Sequence, residues 1–375
     1  MVAIKENNPL IELETFGQSI WLDYIRRDLI TSGKLAKLIN EDGLRGMTSN
    51  PSIFEQAFDK SADYEKDIHA MAVKGDSIET IYKTLSQRDV GEAADEFRSL
   101  YDKTEAQDGY VSLEVNPHLA HDTQGTLKEA RHLWQTLDRP NMMIKVPATV
   151  EGLPAITQLI SEGINVNVTL LFSVSRYQEV AKAYIAGLEA RLAQGKSIEH
   201  IASVASFFLS RIDVLVDPLL EKIITEGQQH AALAKQLHGE VAIASAKIAY
   251  RVFQQEFTSE RFKLLASKGA QVQRLLWAST STKNPAYKDV KYVDALIGPE
   301  TVNTVPVETF DAYRDHGDPA LRLTEDKEKL IEAFAQLPKL GIDIDKVCQQ
   351  LEIEGIDKFN KAFDQLFAIL KQKSH

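Results

Sequence analysis

Residues 141–149 read NMMIKVPAT, a short apolar run with one lysine near its middle and a proline at its end. Length and composition suit a β-strand, in which side chains alternate between two faces. Met142, Ile144 and Val146 then share one face, and Met143 and Lys145 the other. A lysine in apolar surroundings is costly unless it is paired or neutral, so this strand calls for a fold with a use for Lys145. Proline cannot extend a ladder but suits the first turn of a helix, so Pro147 reads as a strand-to-helix exit.

The same unit recurs along the chain. Further strand candidates are SIWLDYI (19–25), GMTSN (46–50), GYVSLEV (109–115), NVNVTLLF (165–172), VASFFLS (204–210), RLLWAST (274–280) and TVNTVP (301–306). With 141–147 that makes eight. Five soon meet a proline: Pro51, Pro117, Pro147, Pro285 and Pro306. Between them lie segments of helical period, striped by Leu127, Ala130, Trp134 and Leu137, by Tyr177, Val180, Tyr184, Leu188 and Leu192, and by Ile248, Val252 and Phe257. Eight β-then-α units with no linker predict a closed parallel (β/α)8 barrel of the TIM type. The competing fold, a doubly wound open sheet, more often carries a glycine-rich first turn, and no G-x-G-x-x-G is present.

Two segments exceed an even repeat. Residues 51–108 have room for two or three helices. Beyond about 320 the tail is helical, and Ile356, Phe359, Phe363, Leu366, Phe367 and Leu370 form a stripe that should dock on the barrel. No second core is visible, so the expectation is one domain over 1–375, with about 320–375 as appended C-terminal helices.

Composition narrows the function. The 375 residues carry 43 Lys and Arg against 54 Asp and Glu, a formal charge of −11. That balance disfavours non-specific binding to nucleic acid or anionic lipid, and an anionic small substrate would need a local basic pocket. Cys348 is the only cysteine, which excludes an intramolecular disulfide and any metal site built on cysteine pairs. The start MVAIKENNPLIELETFG lacks the basic head and long apolar core of a signal peptide, and no apolar run approaches the ~20 residues of a membrane span. The expectation is a cytoplasmic enzyme, monomer or homodimer, with no nucleic-acid or membrane partner.

Splitting each strand by face exposes the chemistry. The strand at 165–172 separates Val166, Val168, Leu170 and Phe172 from Asn165, Asn167, Thr169 and Leu171. That at 109–115 separates Val111, Leu113 and Val115 from Ser112 and Glu114. The polar sets should point into the barrel. Asp23, Asn50, Glu114, Lys145, Thr169 and Ser279 all fall near the C-terminal ends of their strands, where barrel enzymes do their chemistry. Lys145 in a structural ion pair with Glu114 or Asp23 is the alternative. The convergence of two carboxylates, an amide and two hydroxyls on one mouth favours a reactive lysine.

Other features carry less. AQGKS (193–197) lacks the first glycine of a phosphate loop, since position 190 is alanine, and Gly195 reads as a helix stop. His118 and His121 have no third ligand nearby and read as a solvated loop. Cys348 reads as small packing in the tail, and TEDKEKL (324–330) as a solvated helix start.

With these residues in hand, the chain resembles the transaldolase family, specifically its longer bacterial type, from about Trp21 to Lys373. The resemblance is carried by GMTSNPSIFEQA, VSLEVNPHLA, MIKVPAT, GINVNVTLLFS, VASFFLSRID and LLWASTSTKNPAY, in that order. It implies a class I aldolase barrel without metal or other cofactor, acting on sugar phosphates through a Schiff base in the pentose phosphate pathway. The implied reaction joins sedoheptulose 7-phosphate and glyceraldehyde 3-phosphate to give erythrose 4-phosphate and fructose 6-phosphate. Lys145 occupies the imine-forming position, and Asp23, Glu114 and Thr169 match the proton-handling residues. Asn50, Asn167 and Ser206 match those holding the dihydroxyacetone part, and Arg211 and Ser279 match the phosphate anchors. Many shorter members carry a second phosphate-binding arginine two residues after the matching serine; here that position is Ser281, with Lys283 two further on as the replacement charge. A fructose 6-phosphate aldolase, or a catalytically dead barrel serving as a binding protein, are the alternatives.

Overall fold

The computed structural model describes residues 8–227, 229–325 and 327–374. Eight strands close in sequence order: β1 (Gln18–Asp23), β2 (Gly46–Thr48), β3 (Tyr110–Glu114), β4 (Met142–Pro147), β5 (Val166–Leu171), β6 (Ser203–Phe208), β7 (Arg274–Ala278) and β8 (Thr301–Val305). Each pairs in parallel with the next, and β1 closes on β8. The (β/α)8 barrel is therefore the fold. Its outward strand faces are apolar and covered by helices, and one contiguous buried cluster runs from Leu10 to Leu370.

The alternation explains which side chains enter the barrel. Glu114 pairs with Lys145, and Lys145 with Asn167, so three polar residues stand abreast on neighbouring strands. The expected split of β5 holds only through Thr169. Val168 pairs with Ala205 but Leu171 with Phe207, so β5 carries one residue more than β6 across that interval. Leu170, with φ of 54°, takes up the extra residue. Faces swap past such a bulge, and Leu171 turns outward instead of following Thr169 inward.

The prolines behave less uniformly than expected. Pro51 opens a helix (Pro51–Lys60) capped by Asn50, which shortens the second strand from 46–50 to 46–48. Pro117 starts a 3-10 turn and Pro306 caps the helix Val307–His316. Pro147 instead ends β4 itself, five residues before the helix Gly152–Glu162, and Pro285 lies in a turn well past β7. Both β4 and β7 are followed by loops long enough to bring side chains over the barrel mouth.

Residues 51–108 hold three α-helices, Pro51–Lys60, Glu65–Val73 and Ile78–Lys103. The stripe placed at Ile248 and Val252 sits off its face: those two are half-buried, while Ala249, Tyr250, Phe253 and Phe257 are buried. That helix, Val241–Phe257, is packed by neighbours on several sides, so one stripe does not describe it. Gly195 follows the helix Val174–Ala193 with φ of 71°, a stop that favours glycine. The acidic segment at 324–330 leads into the helix Lys327–Phe334, although its Asp326, like residues 1–7 of the N-terminal segment, lies outside the described residues.

The tail ends in a 30-residue helix, Ile344–Lys373, that lies across the C-terminal end of the barrel. Phe363 and Phe367 pack on Tyr82 at ring separations of 5.4 and 5.5 Å. Cys348 is buried, its thiol directed at the Phe172 carbonyl at 3.3 Å, and burial pushes that thiol up to about 12. Among the described residues no helix is long and apolar enough to cross a membrane.

Candidate active site

A cavity of about 600 Å³ opens at the C-terminal end of the barrel. Nine of the residues singled out in the sequence line it: Asp23, Asn50, Lys145, Thr169, Ser206, Arg211, Ser279, Ser281 and Lys283. Glu114 and Asn167 do not. Both lie behind the wall, and each touches a residue that forms it.

Lys145 is 4% exposed. Its Nζ donates to the Ser49 carbonyl at 3.1 Å and stands 3.6 Å from Glu114 Oε2, longer than a hydrogen bond. Ser49 is itself fixed, donating through Oγ to the Ser112 carbonyl at 2.7 Å. The amine is thus held by one backbone oxygen and one carboxyl, with its remaining side towards the cavity. Neither oxygen of Glu114 has a hydrogen-bond partner, and the Thr169 hydroxyl also lacks one. Burial raises the Glu114 carboxyl to about 7 against the opposing pull of Lys145, and the charge of Asp23 adds to the rise. A carboxyl in that range exchanges a proton readily near neutral pH.

Asp23 sits across the cavity at the end of β1. Thr48 donates to its Oδ1 at 2.6 Å, and the Asn50 amide approaches Oδ2 at 3.5 Å. Burial raises its carboxyl above the ordinary value, while Lys145, Thr48 and Asn50 pull the other way. Thr48 also meets the Thr304 hydroxyl at 2.8 Å, so a short hydroxyl chain from β2 and β8 orients this carboxyl. Thr48 and Thr304 were not singled out in the sequence. Their only signal was an inward position two residues from the end of GMTSN and TVNTVP.

Asn167 is fully buried and works through others. Its Nδ2 donates to Ser112 Oγ at 3.1 Å, and its Oδ1 accepts from Ser206 Oγ at 2.7 Å. Ser206, on the next strand, reaches the cavity; Asn167 fixes the direction of its hydroxyl.

The cationic side is built from three elements. Arg211 stands in the first turn of the helix Ser210–Thr225, directly after β6. Ser279, just past β7, has φ of 54°, a conformation that costs an L-residue roughly 1–2 kcal/mol. Ser210 N–H donates to its carbonyl at 3.0 Å, and the two hydroxyls lie 3.0 Å apart. Such strain at a cavity wall is characteristic of positions under functional constraint. Lys283 bonds Ser281 Oγ at 2.6 Å. The third element is the tail helix, whose Lys358 and Phe359 also line the cavity. The sequence offered no sign of Lys358, one exposed lysine among several on an amphipathic helix.

His118 and His121 stay outside, paired with Asp364 at 2.8 Å and Glu151 at 3.1 Å on the surface. Among the described residues no group of three or more His, Cys, Asp or Glu is placed to hold a metal.

A buried amine, two carboxyls raised by burial and a cationic rim suit carbonyl addition to an anionic substrate. The comparisons with known proteins agree in kind. Residues 20–370 match the family model described as Transaldolase/Fructose-6-phosphate aldolase. A protein of Trichodesmium erythraeum named Transaldolase is 50% identical over 370 residues, covering 98% of this chain and 97% of its own length. One of Nostoc sp. named Transaldolase 2 is 49% identical over 98% of this chain and 97% of its own length. One of Saccharopolyspora erythraea named Transaldolase is 47% identical over 98% of both. The chain belongs to the transaldolase/fructose-6-phosphate aldolase family and is an enzyme of the transferase class.

Proposed function

We propose that the chain is a cytoplasmic transaldolase of the pentose phosphate pathway. It transfers a dihydroxyacetone unit from sedoheptulose 7-phosphate to glyceraldehyde 3-phosphate, releasing erythrose 4-phosphate and forming fructose 6-phosphate. The barrel and its appended helices act as one domain. The observation that carries this reading is Lys145, buried at the cavity wall with Glu114 3.6 Å away. The family's description also names an aldolase, but the relatives quoted above, near 50% identity over the whole chain, are named transaldolase, which favours transfer.

The steps follow from the groups present. The Lys145 amine attacks the C2 carbonyl of the ketose through its lone pair, and the resulting carbinolamine loses its hydroxyl as water when Glu114 supplies a proton. Thr169, on the adjacent strand, holds the water that relays it. Asp23 then takes the proton of the C4 hydroxyl. The C3–C4 bond breaks, its electron pair moves onto the iminium nitrogen, and the aldose leaves as an aldehyde. The three-carbon enamine waits on Lys145, screened from bulk water by the barrel walls, until the acceptor aldehyde arrives and the steps reverse. Asn50 and Ser206 hold the hydroxyls of the dihydroxyacetone unit, Asn167 orients Ser206, and Arg211, Ser279, Ser281 and Lys283 hold the phosphate.

The test is borohydride reduction in the presence of fructose 6-phosphate, followed by peptide mapping. A dihydroxyacetone-derived mass is expected on the peptide containing Lys145 and absent in Lys145→Ala. Labelling of another lysine, or full activity of Lys145→Ala, would sink the reading.

A further inference from the structure

The helix Ile344–Lys373 reaches the cavity through Lys358. We propose that Lys358 is a substrate-binding residue, completing from the tail the anion site that Arg211 and Lys283 begin on the barrel. The ligand class is a phosphate monoester at the far end of the substrate from Lys145. The proposal rests on the reading of that end as the phosphate side.

Three observations carry it. First, Lys358, Arg211 and Lys283 come from three separate segments, yet all line one cavity. Secondly, they are near enough to feel each other's charge: partial desolvation at the cavity wall lowers the Lys358 amine first, although the side chain as a whole is exposed, and Arg211 and Lys283 lower it further. Lys283 is likewise lowered by burial and then by Arg211. Thirdly, none of the three has an ion-pair partner among the described residues. The nearest acids act only at longer range, Glu354 on Arg211 and Glu308 on Lys283. Gathering three like charges is unfavourable unless an anion joins them. In a chain of net charge −11, leaving these three unpaired is the opposite of what a merely solvated surface needs.

The placement of Lys358 is built in. Gly355, one turn earlier, lies against Leu170 and Phe172, where an added Cβ would come within 3.1 Å of Leu170 Cδ2. Leu170 is the bulged residue of β5, so the irregularity that ends the inward alternation also forms the seat of the tail helix. Phe359 is buried beside Lys358 and anchors that turn. Ser281, which lines the same mouth from the barrel side, carries no charge. The tail lysine supplies a charge on the same side of the cavity.

The experiment compares Lys358→Met, Lys358→Arg and Arg211→Ala in the full chain. Donor kinetics are read with fructose 6-phosphate and with unphosphorylated dihydroxyacetone, and inorganic phosphate is used as a competitive inhibitor. Losing one charged contact typically weakens binding about tenfold or more. Lys358→Met should raise KM for fructose 6-phosphate and the phosphate inhibition constant by about that factor, with a much smaller change in kcat. The unphosphorylated donor should respond little, and Lys358→Arg should recover most of the loss. If Arg211→Ala raises both constants and Lys358→Met raises neither, Lys358 is a solvated charge and the proposal falls. An equal loss with both donors would make Lys358 structural, which also overturns it. Should Arg211→Ala leave both constants unchanged, the phosphate side itself is misread and the proposal falls with it.

Discussion

Asn50 divides its amide between fold and site. Its Oδ1 accepts from the Ile53 N–H at 3.1 Å and caps the helix Pro51–Lys60, which leaves Nδ2 facing Asp23 and the cavity. Much of the site was legible at this scale because strand alternation has a fixed period: once NMMIKVP is a strand, Lys145 must share a face with Met143. Leu171 escaped that rule because one extra residue reverses the faces, and nothing in VTLLF marks the bulge. Asn167 was legible as inward but not as a residue of the layer beneath, since period says nothing of depth. The Glu114 carboxyl, raised to about 7 by burial, yields a prediction at the same scale. If it donates the proton that dehydrates the carbinolamine, imine trapping should slow as pH rises through about 7, and Glu114→Gln should be slow throughout with that limb gone. Asp23→Asn should still trap the imine but cleave slowly, by the ~10²–10⁴-fold typical of a lost proton-transfer group. Both variants failing at the same step would refute the division. The same shift has a sign for folding. A carboxyl raised in the native state binds its proton more tightly there, so its contribution to stability is full below about 4.5 and is lost as pH climbs to about 7.

At the scale of elements, the strands could be read because an apolar face alternates with a polar one, although both faces are buried in the barrel. The helices Thr123–Leu137 and Val174–Ala193 could be read because each shows an apolar stripe of helical period. The tail was readable only as far as its apolar stripe. Ile356, Phe359 and Phe363 declare that the helix docks but not where, and its polar flank carries no mark separating Lys358 from its neighbours. Docking depends on contacts between segments nearly two hundred residues apart, which local pattern does not encode. Gly355 is the position where this can be tested. Replacing glycine inside a helix by alanine gains about 1 kcal/mol of propensity. The new Cβ, 3.1 Å from the flexible end of Leu170, would consume part of that gain, so Gly355→Ala should be close to neutral. Gly355→Val adds two more carbons in the same gap, and overpacking of that kind costs about 1–3 kcal/mol. It should lower the melting temperature and, by lifting Lys358 from the mouth, raise KM for fructose 6-phosphate. A valine variant with unchanged melting temperature and KM would show that the helix is not seated through this contact.

For the whole molecule the question is how a chain of net charge −11 attracts a phosphorylated sugar. A chain of this length has a radius of gyration of about 20 Å. Eleven net charges at about 20 Å in water repel a unit anion by about 2 kcal/mol without salt, and screening over the ~10 Å Debye length at 0.1 M cuts that to a few tenths. One cation at about 4 Å, at the effective dielectric of a protein surface, attracts by about 4 kcal/mol before desolvation is counted. Three such cations line this mouth. Local attraction therefore outweighs the global field, and composition alone, which reports only the field, disfavours non-specific binding to nucleic acid without speaking against an anionic substrate. The two contributions differ in how they answer to salt. Were repulsion dominant, added salt would lower KM for fructose 6-phosphate; with the cationic mouth dominant, KM should rise as salt increases from about 0.02 to 0.2 M. The rise should be shallower in Arg211→Ala and in Lys358→Met, each of which removes one of the charges being screened, and nearly absent for unphosphorylated dihydroxyacetone. A KM that falls with salt, or a slope unaffected by either substitution, would mean that the substrate is drawn in by something other than these three side chains.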